Sequence, residues 1–320
     1  MNATKADRTV ALAEFGPTSS RTASLAESQQ WCKQLTQSHG ENFSVLSRFV
    51  DASLVDDFSA VYAFCRAADD LGDETESRER STELLAWWRE QLHQCFAGHA
   101  SHPIFVALMP VIARHSLPQE PFDDLISAFE MDQTKTRYET WDEVIRYCKL
   151  SADPVGRLVL MLLGERRDEE CLRASDAVCT ALQLTNHWQD ARRDLLERDR
   201  IYIPRDFWKV DRFEQRLVST CRQGYAPDQM FLQSWRESVR ELTLRTWELF
   251  ESGSSLLPML QPQHRPLIWL FIAGGTGTLR QIETWNYETC LSRPQLSKFA
   301  KISLLLRARW ATRNIGAVVT

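Results

Sequence analysis

The chain has little glycine and little proline, with 12 of each among 320 residues. Tight hairpin turns depend on glycine, so this scarcity argues against a sandwich or barrel of many strands. The low content of both residues also excludes collagen-like and low-complexity chains. A hydrophobic share of 43% excludes an intrinsically disordered chain and is enough to form a sizeable core.

An excess of positive charge, paired cysteines and long apolar runs are also missing. The 38 basic and 43 acidic residues give a net charge of −5, so we expect no nucleic-acid partner. The 8 cysteines are scattered without a C-x-x-C pair, which predicts buried, reduced thiols in a cytoplasmic protein. The N-terminus lacks the apolar segment of a signal peptide. The longest apolar run begins at Leu267 and is interrupted by Gly274, Gly275 and Gly277, well short of a bilayer span.

Apolar residues recur at helical spacing along most of the chain, and strand-like alternation is nearly absent. Residues 1–23 are small and polar and predict a loose tail. Ser24 and Glu27 form a capping-box pattern that opens the first helix. Helical spacing continues over residues 55–74, 82–96, 104–115, 122–131, 144–150, 155–162, 169–196, 210–222, 229–250, 265–285 and 295–312. The sequence predicts one all-α domain over 24–313 with helices around a central space, followed by a short tail over 314–320.

The predicted helix over 55–74 carries an acidic motif. Asp69 and Asp73 are one turn apart, so their carboxylates project from one face, and Arg66 and Tyr62 lie on the same side. Asp70 points elsewhere on an ideal helix and ranks below the other two aspartates. Two like charges on one face destabilise a bare helix, and a divalent cation with oxygen ligands would remove the repulsion.

A second acidic motif lies on the predicted helix over 169–196. Asn186, Asp190 and Asp194 follow one another at four-residue intervals, with Gln183 and His187 close to the same stripe. Each motif alone is also compatible with a charged helix face in water. Two motifs on otherwise apolar helices instead favour several Mg²⁺ ions around a diphosphate, because magnesium takes one or two carboxylates and shares its shell with water and phosphate. That arrangement suits loss of diphosphate and formation of a carbocation shielded by an apolar, aromatic-lined cavity.

These motifs resemble the squalene/phytoene synthase family of isoprenoid synthases. The likeness runs from Gln29 to Ala308 and rests on spaced elements in the right order. These are Y-x-x-x-R-x-x-D-D-x-x-D at 62–73, R-Y-x-T-x-x-x-[LV]-x-x-Y-C at 137–148, L-Q-x-x-N-x-x-x-D-x-x-x-D at 182–194 and R-I-Y-[FIL]-P at 200–204. The resemblance implies an all-α isoprenoid synthase fold around a central cavity and Mg²⁺-dependent diphosphate chemistry. No glycine-rich nucleotide fingerprint is present, so no nicotinamide cofactor is expected.

The resemblance also implies a role for each matching residue. The metal-binding side chains would be Asp69, Asp73, Asn186, Asp190 and Asp194. The groups with catalytic roles would be Asp69, Asp73, Asp190, Asp194 and Tyr62. Substrate would be contacted by Arg66, Phe43, Gln183, Gln189, Arg200 and Tyr202, with Arg66, Arg200 and Tyr202 on the diphosphate and Phe43 near the mouth of the cavity.

Several departures from the condensing members of the family point to one branch. The chain has E-N-F-S-V at 41–45, S-A-D-P-V-G-R at 151–157, Gln189 where many members carry Arg, and a glycine cluster near Gly275 where many carry Tyr. Together these features resemble the hydroxysqualene-forming branch of bacterial hopanoid synthesis. That branch ionises presqualene diphosphate and lets water capture the rearranged cation. The implied partners are a paralogue that makes presqualene diphosphate and a flavin-dependent reductase that converts hydroxysqualene to squalene.

Two other functions remain as alternatives. The first is a condensing squalene or phytoene synthase that joins two prenyl diphosphates such as farnesyl diphosphate. The second is a non-catalytic lipid-binding or assembly relative, which would tend to lose aspartates that this chain keeps. His187 and Gln189 could make the pocket polar enough to admit water, although a histidine on a helix flank is also a common structural residue.

The C-terminal stretch from Lys298 to Arg309 alternates basic residues with Leu304, Leu305 and Leu306. It fits an ordinary terminal amphipathic helix, and it also fits transient contact with an anionic membrane. We therefore expect a cytoplasmic enzyme that can touch the inner membrane peripherally.

Overall fold

The computed structural model describes residues 4–39 and 49–313, and regular structure within these ranges is helical. The helices are α1 (Lys5–Thr9), α2 (Leu12–Phe15), α3 (Leu25–His39), α4 (Val55–Asp73), α5 (Arg78–Phe96), α6 (Pro103–His115), α7 (Glu120–Thr134), α8 (Trp141–Ser151), α9 (Asp153–Leu162), α10 (Glu169–Arg198), α11 (Phe213–Gln223), α12 (Gln229–Gly253), α13 (Leu256–Met259), α14 (Arg265–Thr284) and α15 (Lys298–Ala311). Two 3₁₀ turns, Ala52–Leu54 and Arg205–Phe207, complete the regular elements. The predicted all-α class is confirmed.

The chain divides into two compact units. The first comprises Met1–Thr134 and Pro154–Arg167, and the second comprises Lys135–Asp153 and Asp168–Thr320. The single domain over 24–313 and the central cavity stay predictions, and the tail over 314–320 lies outside the described residues. Among the described residues, none of the helices combines the length and the apolar character needed to cross a membrane.

Helix α4 is the central helix of the first unit and packs against α1, α3, α5, α6 and α7. Its small residues Ala63, Ala67 and Ala68 are fully buried and allow neighbouring helices to approach closely. Phe64 is also fully buried, and its ring lies 5.0 Å from that of Phe122 in an edge-on arrangement. The apolar face of α4 therefore anchors the helix that carries the first acidic motif.

Residues 5–9 and 12–15 are helical, so the predicted loose tail over 1–23 is wrong for α1 and α2. Thr4 and Asp7 form a capping box at the start of α1. Ala6 and Val10 are fully buried, and the Val10 carbonyl accepts a hydrogen bond from His102 Nε2 at 2.9 Å. Helices this short have too little periodicity to be recognised in a sequence, and tertiary packing stabilises them.

Helix α10 is the central helix of the second unit and packs against α8, α11, α12, α13 and α14. Trp188 is fully buried there and donates a hydrogen bond from Nε1 to Thr246 Oγ1 at 2.9 Å. On α14, a Cβ added to Gly275 would lie 2.5 Å from Leu182 Cδ2 and 2.6 Å from Phe250 Cζ. The late glycine thus has a packing role, because it lets α14 approach α10 and α12. None of the 8 cysteines, all of which lie in the described ranges, is in a disulfide; six are buried as predicted, whereas Cys65 and Cys179 are half-buried.

Candidate active site

The first acidic motif occupies the last turns of α4. Asp69 and Asp73 are both half-buried, one helical turn apart. Arg66 Nη1 lies 2.9 Å from Asp69 Oδ2, so a protein cation already neutralises one of the two carboxylates. The pair presents oxygen donors on one face of a helix whose opposite face is in the core.

Asp70 takes a different direction from its neighbours, as predicted. Its side chain is completely buried and accepts hydrogen bonds from Thr9 Oγ1 at 2.6 Å and from Arg66. Lys5 Nζ lies 3.1 Å from Asp70 Oδ1. Burial by itself would raise the pKa of Asp70, but these bonds outweigh it and hold the pKa below its usual value. Lys5 and Thr9 are not among the residues predicted from the sequence, where their four-residue spacing is the only signal that they share a helix face.

The two other residues of this motif have pKa values that follow from burial and from their neighbours. Burial alone would lower the pKa of Arg66, but the carboxylates of Asp69 and Asp70 raise it above its usual value. Burial raises the pKa of Tyr62, with Arg66 partly opposing the effect. Arg66 is therefore a permanent cation and Tyr62 a neutral phenol at physiological pH.

The second acidic motif lies on α10. Asn186 is exposed, whereas the side chains of Asp190 and Asp194 are 15% and 12% exposed. Arg293 donates to both carboxylate oxygens of Asp190, with Nη2 at 3.1 Å from Oδ2. Arg198 Nη1 lies 3.7 Å from Asp194 Oδ1. Both aspartates are thus paired with protein cations.

Arg293 is a candidate site residue that the sequence analysis missed. Its Nη2 also lies 3.3 Å from Gln189 Oε1, and Gln189 Nε2 donates to the Pro294 carbonyl. Gln189 is buried, and its amide is therefore engaged in holding the 293–294 segment. Arg293 is far in sequence from Gln189 and Asp190, so this contact has no local sequence signal apart from the Arg293-Pro294 dipeptide, which is typical of a loop.

The element at 200–204 returns from the end of α10 and lies beside the element at 137–148. The helix ends at Asp199, which adopts a left-handed conformation with φ 54°. The Ile201 amide then donates to the Thr136 carbonyl at 2.9 Å, and the Arg205 amide donates to the Tyr138 carbonyl at 3.0 Å. Two motifs that are separate in sequence are thereby brought together in the second unit.

An aromatic cluster forms where these elements meet α10. The ring of Tyr202 stacks on His187 at 3.7 Å and on Tyr138 at 5.5 Å, and Tyr147 lies 5.6 Å away. Tyr202 and Arg200 are buried, so their contact with diphosphate stays a prediction. Burial, and then the charge of Arg200, lower the pKa of His187 to about 3, so its imidazole is neutral. Gln183 Nε2 is 3.4 Å from His187 Nε2.

The donor set of the two motifs suits a hard divalent cation. Among the residues that the structure describes, no three His, Cys, Asp or Glu side chains gather into a ready metal cage. Magnesium does not need one, since it takes one or two carboxylates and completes its shell with water and phosphate. The Arg293–Asp190 pair shows that a positive charge is accommodated at the second motif. Of the predicted site residues, Phe43 lies outside the described range.

Comparison with known proteins decides the family. The profile of squalene/phytoene synthases matches residues 36–300. The chain belongs to the squalene/phytoene synthase family. Enzymes of this family process prenyl diphosphates, so the chain is an enzyme of isoprenoid biosynthesis.

Individual members of the squalene/phytoene synthase family differ in how much of this chain they match. The hydroxysqualene synthase of Rhodopseudomonas palustris is 41% identical over 52% of this chain and 56% of its own length. The phytoene synthase of Arthrospira platensis is 28% identical over 90% of this chain and 95% of its own. The crystal structure of squalene synthase HpnC from Alicyclobacillus acidocaldarius superposes with a TM-score of 0.72, is 41% identical, and covers 82% of this chain and 95% of that protein. The predicted isoprenoid synthase fold is confirmed.

Proposed function

We propose that this enzyme converts presqualene diphosphate to hydroxysqualene. The observation that carries the proposal is the 41% identity to the HpnC structure over 82% of the chain, against 28% identity to the phytoene synthase. The matches to three hydroxysqualene synthases span about half of those proteins' length, at 41%, 41% and 36% identity. The substitutions at Gln189 and Gly275 favour the same branch.

The proposed reaction balances with water as the only co-substrate. The bond between the substrate carbon and the diphosphate oxygen breaks, and the electron pair leaves with diphosphate. The resulting carbocation rearranges. A water oxygen then bonds to the cationic carbon and releases one proton, giving hydroxysqualene, diphosphate and H⁺ without any change in oxidation state that would need a reductant.

The candidate residues would have two roles: binding the diphosphate with its metal ions, and holding water beside an aromatic cluster. Arg66 and Arg200 supply fixed positive charge for the diphosphate, and Tyr62 remains a neutral phenol beside Arg66. Carboxylates of the two motifs, with Asn186, would hold Mg²⁺, which neutralises the leaving diphosphate. The half-buried Gln183 and the buried, neutral His187 offer polar groups that can hold water beside an aromatic cluster.

Product analysis tests the proposal directly. The purified enzyme with presqualene diphosphate and Mg²⁺ should release hydroxysqualene and diphosphate in equal amounts. Asp190→Asn should lower the rate by at least about 100-fold, because it removes a charge needed for the metal. Asp176→Asn, a matched change on the same helix outside the motif, should retain the wild-type rate. Release of diphosphate without hydroxysqualene would contradict the proposal.

A condensing synthase is the second candidate, favoured by the longer match to the phytoene synthase. Farnesyl diphosphate with Mg²⁺ as the sole substrate separates the two functions. Efficient turnover of that substrate would refute the hydroxysqualene proposal.

The role of Gln189 can be tested separately. Gln189→Arg should change the ratio of hydroxysqualene to other products. Gln189→Leu controls for the lost bond to Pro294, and an unchanged ratio in the Arg variant removes Gln189 from the proposal.

A further inference from the structure

Helix α15 exposes an apolar stripe on its outer face. The exposed fractions are 86% for Phe299, 53% for Ile302, 78% for Leu306 and 72% for Trp310. These residues are three or four positions apart, so they follow one another along a single face of the helix. Large apolar side chains scattered singly over a surface are ordinary, but a contiguous row marks a contact surface.

The opposite face of the same helix is already used by the fold. Ala308 is fully buried, Leu304 and Leu305 are half-buried, and the helix packs against α14. An ordinary terminal amphipathic helix would have one apolar face and one polar face. Because α15 is apolar on its outer face as well, packing against its own unit does not account for the sequence.

The stripe is bordered by positive charge. The basic residues of this segment are Lys298, Lys301, Arg307, Arg309 and Arg313, and all of them are exposed. No Asp or Glu occurs between 298 and 313, although the whole chain has a net charge of −5. The local charge is therefore opposite in sign to the average and complementary to an anionic surface.

We propose that this face of α15 binds an anionic lipid bilayer, with the apolar stripe inserted at the headgroup level and the basic residues on the lipid phosphates. Aromatic and aliphatic side chains flanked by Lys and Arg are the composition of interfacial helices. A second copy of this chain fits less well. A symmetric contact between two α15 stripes would bring basic residues against basic residues.

The proposal is independent of the reaction that the enzyme catalyses. Helix α15 is linked to the candidate active site through the connecting chain. Three residues separate Lys298, at the start of α15, from Pro294, whose carbonyl accepts a hydrogen bond from Gln189. The binding assay needs no substrate, so its failure and a failure of the hydroxysqualene proposal are distinguishable.

Vesicle flotation of the full-length protein tests the proposal. Vesicles of phosphatidylcholine with phosphatidylglycerol should carry the protein upward, and phosphatidylcholine alone or high salt should release most of it. The triple variant Phe299→Gln, Leu306→Gln, Trp310→Gln should lower the bound fraction at least tenfold without lowering Tm, because these side chains are exposed. R307Q and R309Q, made as separate single variants, should each weaken vesicle binding about fivefold.

A matched control removes exposed apolar side chains elsewhere on the same unit. Met230 and Leu244, 68% and 51% exposed on α12, are replaced together by Gln and should leave flotation unchanged. Wild-type protein that stays at the bottom with anionic vesicles would overturn the proposal, as would a triple variant that floats like the wild type. A wild-type dimer that becomes a monomer in the triple variant, without vesicle binding, would assign the stripe to a second copy instead.

Discussion

His102 is a buried histidine whose replacement by Asn should change how stability depends on pH. It is 1% exposed, and it is the N-cap of α6. Its Nδ1 accepts from the Ile104 amide at 3.2 Å, so Nε2 carries the proton and donates to the Val10 carbonyl. Protonation of Nδ1 would remove the cap and place a charge in the core. Burial therefore lowers the pKa of His102 to about 4, with the Val10 bond opposing this shift.

The size and direction of the effect follow from that pKa. The ordinary value is 6.5. The folded and unfolded pKa values differ by about 2.5, and each pKa unit corresponds to about 1.4 kcal/mol. The His102 titration can therefore lower the unfolding free energy by about 3 kcal/mol. Well above pH 6.5, as at pH 7.5, the imidazole is almost entirely neutral in both the folded and the unfolded chain, and it contributes little pH dependence. Between pH 6.5 and about 4 the unfolded chain binds a proton that the folded chain does not, so stability falls as the pH falls.

His102→Asn separates the cap from the titration. The Asn side chain can still accept from the Ile104 amide, but the buried Val10 carbonyl loses its donor, and the variant should be about 1–3 kcal/mol less stable at pH 7.5. At pH 5 the wild-type protein should have lost about 2 kcal/mol through His102, and the variant none of it. Urea unfolding of both proteins should therefore show the wild type more stable at pH 7.5, and the stability difference should shift by about 2 kcal/mol in favour of the variant at pH 5. A stability difference that is the same at both pH values would refute the reasoning.

Three further predictions concern helix packing and the two acidic motifs. A Cβ added to Gly274 would meet no neighbouring atom within 4 Å, so Gly274→Ala should raise Tm through a helix-propensity gain of about 1 kcal/mol, whereas Gly275→Ala should lower it, since overpacking costs about 1–3 kcal/mol. Arg293→Gln should tighten Mn²⁺ binding at Asp190 several-fold in a substrate-free titration followed by electron paramagnetic resonance, with Arg173→Gln, exposed at the other end of the same helix as Asp190, as control; weaker binding would contradict competition between Arg293 and the metal. Thr9→Val should lower unfolding free energy by about 1–3 kcal/mol because it leaves buried Asp70 short of a donor, and Thr82→Val on an exposed helix face should have little effect.

The central helices were predictable because the apolar periodicity that governs their packing is visible in the local sequence. Helix α4 was expected over 55–74 and α10 over 169–196, and the structure has Val55–Asp73 and Glu169–Arg198. Both have long apolar periodicity, and α10 has an N-cap at Asp168. The orientation of Asp70 away from Asp69 also followed from helical geometry alone.

The contacts that complete each motif could not be predicted in the same way. Thr9 reaches Asp70 from 61 positions away, and Arg293 reaches Asp190 from 103 positions away. Such partners depend on how helices pack, which has no local signature. Gly275 is the reverse case. The sequence drew attention to it because relatives carry Tyr near this position. The reason for glycine is visible only in the structure, where Leu182 and Phe250 approach too closely for a Cβ.

In each of the two acidic motifs, arginine side chains offset the negative charge of the aspartates. Each motif lies on the central helix of its unit, and its carboxylates stand close enough together to repel one another. Protein cations offset that repulsion, with Arg66 at Asp69, Arg198 at Asp194 and Arg293 at Asp190. Arg66 and Arg198 share a helix with their partners, but Arg293 is on a loop and 43% exposed, so it can leave its carboxylate with less disturbance to the fold. Asp190 is therefore the position where we expect exchange between a protein cation and a metal ion to be easiest.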